Sequence, residues 1–251
     1  MSTKPSDLFD LSGRIALVTG GSRGLGYEMV RAFAAAGADV VVTSRKLEAC
    51  QKVAAEVESL GRRALAHACH VAHWDEIDAL VEAAYDHFGR IDILVNNAGM
   101  SPLSPSSAET SEALFDKIVG VNFKGPFRLG ALVGRRMVAG EGGVILNVSS
   151  SGALRPDPLF ATYAGAKAAL NALTTAFAHE FGPKVRVNTI SAGPFLTDIS
   201  KAWPEEMREH ANSALGRPGR PEEIVTTALY LASEASGFVT DALVRVDGGL
   251  R

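Results

Sequence analysis

Short apolar runs alternate along the chain with longer segments in which apolar residues recur at the spacing of a helix. This alternation is typical of β–α units arranged around a parallel sheet. The apolar runs predict strands at residues 15–19, 40–43, 63–68, 91–95, 144–148, 186–190 and 243–246. The helical spacing predicts helices at residues 27–36, 47–60, 75–88, 112–139 and 162–181.

The predicted strands are apolar on both faces, with little alternation between polar and apolar positions. Such strands belong to a sheet that helices cover on both sides. The chain shows no internal repeat, low-complexity stretch or linker that would divide it. The sequence therefore predicts a single α/β domain over residues 1–251, with a doubly wound parallel sheet of about seven strands.

Composition narrows the classes of function. The 251 residues carry a formal net charge of −3, so no basic field for a nucleic acid is expected. Cys50 and Cys69 are the only cysteines, too few for a disulfide framework and usual in a reducing cytosol. The pattern of a signal peptide and an apolar run of about 20 residues are both absent. We expect a cytoplasmic protein with no nucleic-acid or membrane partner.

A glycine-rich turn follows the first predicted strand. It reads Thr19-Gly20-Gly21-Ser22-Arg23-Gly24-Leu25-Gly26. Glycines permit a tight turn and let a pyrophosphate approach the backbone, and the N–H groups of the next helix point at the phosphates. The candidate phosphate contacts are Gly20, Ser22, Arg23, Gly24, Leu25 and Gly26. This turn predicts a dinucleotide-binding Rossmann fold.

The end of the second predicted strand indicates which dinucleotide binds. An NAD site places Asp or Glu there for the ribose 2′-hydroxyl, whereas this chain has Ser44-Arg45-Lys46. A guanidinium binds a 2′-phosphate through charge-assisted hydrogen bonds, and Arg23 is expected to reach the same phosphate. The alternative is that Arg45 and Lys46 are solvated charges, although cations are unfavourable at a helix N-terminus without an anion. The sequence predicts NADP(H).

Tyr163 and Lys167 lie four positions apart on a predicted helix and therefore on one face of it. A nearby ammonium lowers the pKa of a phenol from about 10, which would make Tyr163 an acid–base catalyst. Ser150 follows the fifth predicted strand and offers a hydroxyl to a substrate oxygen. Because open parallel sheets bind ligands at this edge, the three residues predict a catalytic site.

These motifs resemble those of the short-chain dehydrogenase/reductase family over nearly the whole chain. The matching motifs are Gly20-x-x-x-Gly24-x-Gly26, Asn96-Asn97-Ala98-Gly99, Asn122, Ser150 and Tyr163-x-x-x-Lys167. The resemblance implies that Tyr163 transfers the proton, that Lys167 lowers its pKa and holds the nicotinamide ribose, and that Ser150 orients the carbonyl or alcohol. It also implies that Asn122 anchors a water of the proton relay.

The resemblance implies further cofactor contacts and a homotetramer. The additional contacts are His70, Val71, Asn97, Ala98, Gly99, Gly193, Phe195 and Thr197. Three pairs depart from the family's usual residues, namely His70-Val71, Ala192-Gly193 and Thr240-Asp241. Family members commonly form tetramers through the helices predicted here at 112–139 and 162–181, which are apolar nearly all round.

The expected reaction is hydride transfer between NADP(H) and a small-molecule ketone or secondary alcohol, in the direction of carbonyl reduction. Substrate contacts are expected from segments 100–107, 153–161 and 198–215, the last of them a lid. Their apolar residues Leu103, Leu154, Leu159, Phe160, Phe195 and Trp203 favour an apolar or mixed substrate. A 3-oxoacyl thioester reductase and a sugar-acid or polyol dehydrogenase remain alternatives, as does a binding protein without catalysis.

Two other patterns are weaker. His67, His70 and His73 span a strand end and a loop, so a shared metal-binding face is not expected, and no metal is predicted. Ser150 with His179 and Asp157 would give a hydrolase triad, but the Gly-x-Ser-x-Gly turn of such enzymes is absent around this serine.

Overall fold

The computed structural model describes residues 7–202 and 204–250. It contains a seven-stranded sheet in the order β3-β2-β1-β4-β5-β6-β7, and each strand is parallel to its neighbours. The strands are β1 Ile15–Thr19, β2 Asp39–Ser44, β3 Ala64–Ala68, β4 Ile93–Asn96, β5 Gly143–Ser150, β6 Val185–Ala192 and β7 Leu243–Val246. The predicted doubly wound parallel sheet is confirmed.

Helices cover both faces of this sheet. They are α1 Gly24–Ala35, α2 Leu47–Ser59, α3 Trp74–Phe88, α4 Glu112–Val119, α5 Gly125–Ala139, α6 Ala161–Phe181, α7 Glu205–Glu209 and α8 Val225–Ala232. A π-helical segment, Gly120–Lys124, joins α4 to α5. Within the described part of the chain, no helix is both long enough and apolar enough to cross a membrane.

Alternate residues of the strands enter two hydrophobic layers, one on each face of the sheet. In β1, Ala16 and Val18 pack in a layer with Phe33 of α1, whereas Leu17 belongs to the opposite layer with Leu170 of α6. Helices α1, α2 and α8 contribute to the first layer, and α3, α5 and α6 contribute to the second. The apolar character of both strand faces follows from this double cover.

Several predicted boundaries are wrong. Helix α1 begins at Gly24, before the predicted start at residue 27, because the glycine turn leads directly into the first helical turn. The strand predicted at 91–95 begins at Ile93. The preceding Asp92 bonds Ile15 through its backbone N–H at 2.9 Å and also accepts the N–H of Ile15 with its carboxylate at 2.8 Å. Helices α7 and α8 were not predicted, since neither is long enough to show a helical period in the sequence.

The helix predicted at 112–139 is interrupted in its middle. Asn122 lies in the π-helical segment Gly120–Lys124, which separates α4 from α5. Gly125 then starts α5 in close contact with the loop after β3, where a Cβ atom would overlap the carbonyl oxygen of Val71. The interruption therefore brings α5 against the neighbouring loop and turns Asn122 toward the edge of the sheet that carries the predicted site.

Candidate active site

The order of the strands reverses between β1 and β4, and ligands of open α/β sheets bind outside the carboxyl ends of the strands at such a point. The predicted residues gather at this edge. The glycine turn follows β1, Ser44 ends β2, Asn97 follows β4 and Ser150 ends β5. The fold thus places residues that are distant in the sequence around one crevice.

The glycine turn has the shape that a pyrophosphate requires. Gly20 and Gly24 have φ angles of 65° and 56°, in the left-handed region that favours glycine. A Cβ atom on Gly26 would overlap the carbonyl oxygen of Gly20. Helix α1 begins at Gly24, so its first N–H groups face the crevice and can bind phosphate oxygens. Ser22 and Arg23 form the outer part of the turn.

A second strand end holds this turn in place. The hydroxyl oxygen of Thr19 accepts hydrogen bonds from the N–H groups of Asn97 and Ala98, both at 3.0 Å. The side-chain amide of Asn97 donates to the carbonyl oxygen of Thr19 at 2.8 Å. Sequence analysis predicted Asn97 as a cofactor contact, whereas the structure shows its amide bonded beneath the turn. Asn97 therefore shapes the turn, a role that its sequence position did not indicate.

Arg45 and Lys46, the cations predicted to select NADP(H), lie between the end of β2 and the start of α2. Arg45 and Lys46 are exposed, and Lys46 is the N-cap of α2 without a side-chain capping hydrogen bond. This helix end therefore presents both side-chain and dipole positive charge to the crevice. The guanidinium of Arg23 lies 3.3 Å from the carboxylate of Asp198, and its contact with a 2′-phosphate stays a prediction.

His70 and Val71 follow β3, next to the end of β2. The backbone N–H of His70 donates to the carboxylate of Glu76 at 2.7 Å, and Nδ1 of His70 accepts the N–H of Ala72 at 3.3 Å. Burial, the neighbouring His73 and then Arg45 lower the pKa of His70. A neutral ring with its proton on Nε2 therefore stands here, after the end of β3.

Ser150, Tyr163 and Lys167 meet at the carboxyl end of β5. The ammonium of Lys167 is buried and donates to the carbonyl oxygen of Val148 at 2.7 Å. The hydroxyl oxygen of Ser150 accepts the N–H of Gly152 at 3.0 Å, and its side chain also forms a hydrogen bond with Tyr163. The three predicted side chains thus share one site, as their positions on β5 and α6 implied.

The protonation of this site is governed by burial. Burial raises the pKa of Tyr163 above its ordinary value of 10.0, and the hydrogen bond with Ser150 opposes part of that rise. Burial lowers the pKa of Lys167 to about 8. The Lys167 ammonium lies 6.0 Å from the centre of the phenol ring, so a lowering of the Tyr163 pKa by Lys167 stays a prediction.

Asn122 approaches the same site from the opposite side. Its buried side-chain amide donates to the carbonyl oxygens of Met100 at 2.9 Å and Ile118 at 3.0 Å. A Cβ atom on Gly99 would lie 3.1 Å from the amide oxygen of Asn122 and 3.6 Å from the ammonium of Lys167. Gly99 thus permits the close approach of these two groups. π-Helical segments often occur at functional sites.

The loop after β6 closes the crevice. The side chain of Thr197 lies 3.4 Å from the position of a Cβ atom on Gly24, which places it beside the phosphate-binding turn. A Cβ atom on Gly193 would lie 2.6 Å from the backbone of Asp247, so this position requires glycine. Phe195 is buried and pairs with Gly219. That Phe195 lines the substrate region stays a prediction, and Trp203 lies outside the described residues.

The structure also bears on the weaker patterns. His179 is exposed and lies 3.9 Å from Asp241 at the far end of α6, so it forms no triad with Ser150. Among the described residues, no group of three or more His, Cys, Asp or Glu side chains is arranged to hold a metal ion. Asp241 has a φ angle of 57°, in the left-handed region that favours glycine, and its carboxylate accepts the hydroxyl of Thr175 at 2.7 Å.

Comparison with known proteins identifies the family. The model of the enoyl-(acyl carrier protein) reductase family matches residues 20–251. A short chain dehydrogenase/reductase of Aspergillus oryzae is 38% identical over 251 residues, covering 96% of each chain. The 3-oxoacyl-[acyl-carrier-protein] reductase of Thermotoga maritima is 35% identical over 243 residues, covering 96% of this chain and 98% of the relative.

Solved structures agree with the sequence relatives. A 7α-hydroxysteroid dehydrogenase complexed with NADH and 7-oxo glycochenodeoxycholic acid superposes with a TM-score of 0.92 at 35% identity, covering 98% of each chain. The shared fold and the matches over nearly the whole chain indicate the same family. The chain belongs to the short-chain dehydrogenase/reductase family, oxidoreductases that act on alcohols and their carbonyl counterparts.

Proposed function

We propose that this protein reduces a ketone to a secondary alcohol with NADPH. The observation that carries the proposal is the cluster of Ser150, Tyr163 and buried Lys167 on the crevice that the glycine turn also faces. These side chains combine a carbonyl-binding hydroxyl, a phenolic proton donor and a cation in one place. Bound NADPH would supply the hydride to the carbonyl carbon.

The residues divide the remaining chemistry among them. The oxygen of Ser150 accepts the N–H of Gly152, and its hydroxyl, which bonds Tyr163 in this structure, would turn its proton to the oxygen of a bound substrate. Tyr163 is protonated at neutral pH, since its pKa lies above the ordinary value, and it transfers its proton to that oxygen. The ammonium of Lys167 stabilises the phenolate that remains. Asn122 anchors a water through which the proton is replaced.

Preference for NADP(H) rests on this chain's own residues, since the solved 7α-hydroxysteroid dehydrogenase binds NADH. Ser44 ends β2 where an NAD site has a carboxylate, and Arg45 and Lys46 stand exposed beside it. A 2′-phosphate would therefore meet cations and hydrogen-bond donors instead of a repelling anion.

Replacement of Arg45 by alanine is expected to weaken NADPH binding selectively. Charge-assisted hydrogen bonds contribute about 1.5–3 kcal/mol, so the Kd for NADPH should rise by about 10-fold to 100-fold. The Kd for NADH should stay within about twofold, as for other surface substitutions. Cofactor fluorescence measures both constants. Lys52→Ala, on the helix that follows Arg45 but paired with Glu48, is the matched control, and equal losses for both cofactors would contradict the 2′-phosphate role.

The other elements of the proposal follow the fold. We propose that the chain is one dinucleotide-binding and catalytic domain, with residues 198–215 as the substrate lid, and that it works in the cytoplasm, where its two free, buried cysteines stay reduced. An apolar depression on α4 and α6 is lined by Phe115, Val119, Phe123, Gly165 and Ala169. We propose this face as a contact of a homotetramer, which light scattering of the purified protein tests.

A panel of carbonyl compounds tests the activity itself. NADPH oxidation is measured with simple ketones, diketones, 3-oxoacyl thioesters and keto-sugars, and NADH is assayed in parallel. Turnover with NADPH supports the reductase, and the active group separates ketone reduction from the 3-oxoacyl thioester and sugar-acid alternatives. Binding of NADPH without oxidation by any of them would contradict the proposal and favour a non-catalytic cofactor-binding protein.

A further inference from the structure

Large apolar side chains are exposed around the mouth of the crevice, at the carboxyl edge of the sheet. Leu103 is 65% exposed and Leu215 is 66% exposed. The exposed apolar side chains at this edge are those of Leu103, Leu154, Leu159, Leu196, Met207 and Leu215. We name this set the apolar rim. Exposed apolar residues that cluster beside a polar site mark a binding surface.

The contacts of the rim connect it to the catalytic residues. Leu154 donates its N–H to the carbonyl oxygen of Ser151, directly after the catalytic serine. The carbonyl oxygen of Leu159 accepts the N–H of Ser104 at 2.9 Å, which joins the segments after β4 and β5. Phe160, next to Leu159, meets the Tyr163 ring edge-on with ring centres 6.2 Å apart. The parts of the rim on the segments after β4 and β5 therefore flank Tyr163, the proposed proton donor.

The third part of the rim lies in the loop after β6, which holds Leu196, and at the end of the lid segment, which holds Leu215. Leu196 donates its N–H to the carbonyl oxygen of Gly219 at 2.8 Å, and Leu215 donates to the carbonyl oxygen of Gly248 at 3.0 Å. Gly248 follows the carboxyl end of β7. These hydrogen bonds hold the lid segment over the same edge of the sheet, so its leucines belong to the surface that a bound substrate meets.

Three polar side chains of the two segments beside Tyr163 are engaged within the protein, whereas the Arg155 guanidinium is exposed. Segment 100–107 contains no charged residue, and the hydroxyl of Ser104 donates to the carbonyl oxygen of Ser106 at 3.0 Å. Ser106 in turn bonds Glu109. The carboxylate of Asp157 accepts the N–H of Leu159 at 2.9 Å. Recognition of a hydroxyl-rich substrate requires side chains that are free to bond it, and these three are not.

We propose that the substrate carries its ketone on a large apolar body that packs on the apolar rim. This inference rests on the proposed reductase function and selects among its substrate classes, favouring an extended hydrocarbon-like ketone over a keto-sugar. The body would contact the leucines after β4 and β5 while the carbonyl oxygen reaches Ser150 and Tyr163. The hydrophobic effect then supplies most of the binding free energy, and the two hydroxyls supply the orientation.

A homologous series of methyl ketones, from 2-butanone to 2-nonanone, tests this inference. With NADPH, kcat/KM is expected to rise by about fourfold for each added methylene, equivalent to about 0.8 kcal/mol, until the rim is covered. Leu103→Ser and Leu159→Ser should each lower kcat/KM for the longest ketone by about tenfold, and for 2-butanone by a smaller factor. Phe238→Ser is the matched control, since Phe238 is exposed but precedes β7 at the opposite edge.

The outcomes separate this inference from the proposed function. Turnover that does not rise with chain length, or that is faster for a keto-sugar than for 2-nonanone, would overturn the apolar substrate while the reductase stands. The same ketones are also titrated into the protein–NADPH complex by cofactor fluorescence, so apolar recognition is decided even without turnover. A variant that changes the oligomeric state but not the chain-length dependence would assign the rim to a subunit contact and overturn the inference.

Discussion

Replacement of Tyr163 by phenylalanine is expected to lower kcat for ketone reduction by at least about 1,000-fold, near the upper part of the range for loss of a general acid. In the proposed mechanism the phenol is the group that delivers the proton, whereas Ser150 orients the substrate oxygen. The ring itself is retained, so packing against Phe160 is preserved. Binding of NADPH should therefore change by no more than about twofold.

The measurement pairs steady-state NADPH oxidation with cofactor fluorescence on the same preparation. Tyr230→Phe provides the control, because Tyr230 is exposed on α8 at a distance from the crevice and should keep full activity. Turnover of Tyr163→Phe within about tenfold of the unaltered protein, far less than loss of a general acid produces, would remove Tyr163 from the catalytic role. Loss of NADPH binding in the same variant would assign the residue to the cofactor site instead.

The parallel sheet and most of its helices were predictable, because their signal is local. Runs such as Ile15–Thr19 are buried on both faces, and burial on both faces is what makes a strand apolar throughout. The break between α4 and α5 was not predictable to the residue. It depends on Asn122 bonding Met100 and on Gly125 fitting against Val71, and these contacts join parts of the chain that are distant in sequence.

The site also divides into residues with a local sequence signal and residues whose contacts depend on distant parts of the chain. Ser150, Tyr163 and Lys167 were identified because strand end, helix spacing and residue type all agree. The acceptor for the Lys167 ammonium, the carbonyl oxygen of Val148, carries no side-chain signal at all. The ion pair of Arg23 with Asp198 likewise depends on where the loop after β6 folds. Sequence reasoning therefore finds the reacting groups more readily than the groups that position them.

The buried lysine leads to the second large effect. Lys167→Met should lower kcat by about 100-fold to 10,000-fold, through loss of the cation that assists the Tyr163 proton transfer. The same variant should be more stable than the unaltered protein at pH 7. Burial lowers the pKa of Lys167 from 10.5 to about 8, and each pKa unit corresponds to about 1.4 kcal/mol, so the charged form costs about 3 kcal/mol in the folded state.

Loss of the hydrogen bond to Val148 removes about 1 kcal/mol from this gain, which leaves about 2 kcal/mol and a rise in Tm of about 5 °C for a chain of this size. The gain should depend on pH. Between about 8 and 10.5 the unfolded chain holds the lysine proton that the folded chain has lost, so the unaltered protein gains stability as pH rises through this window. The advantage of Lys167→Met is therefore largest below pH 8 and shrinks toward pH 10.5.

Thermal unfolding followed from pH 6.5 to 10 measures this difference. Lys184→Met is the matched control, because the Lys184 ammonium also donates to backbone carbonyl oxygens, those of Val138 and Gly140, but is exposed. With no burial cost to relieve, that variant should lose stability or stay unchanged. The contrary results are that Lys167→Met is less stable than the unaltered protein at pH 7, or that its extra stability does not shrink as pH rises. Either result would show that burial of the Lys167 ammonium does not destabilise the folded protein. A stabilised but inactive variant would show that the fold retains Lys167 for its chemistry against its own stability.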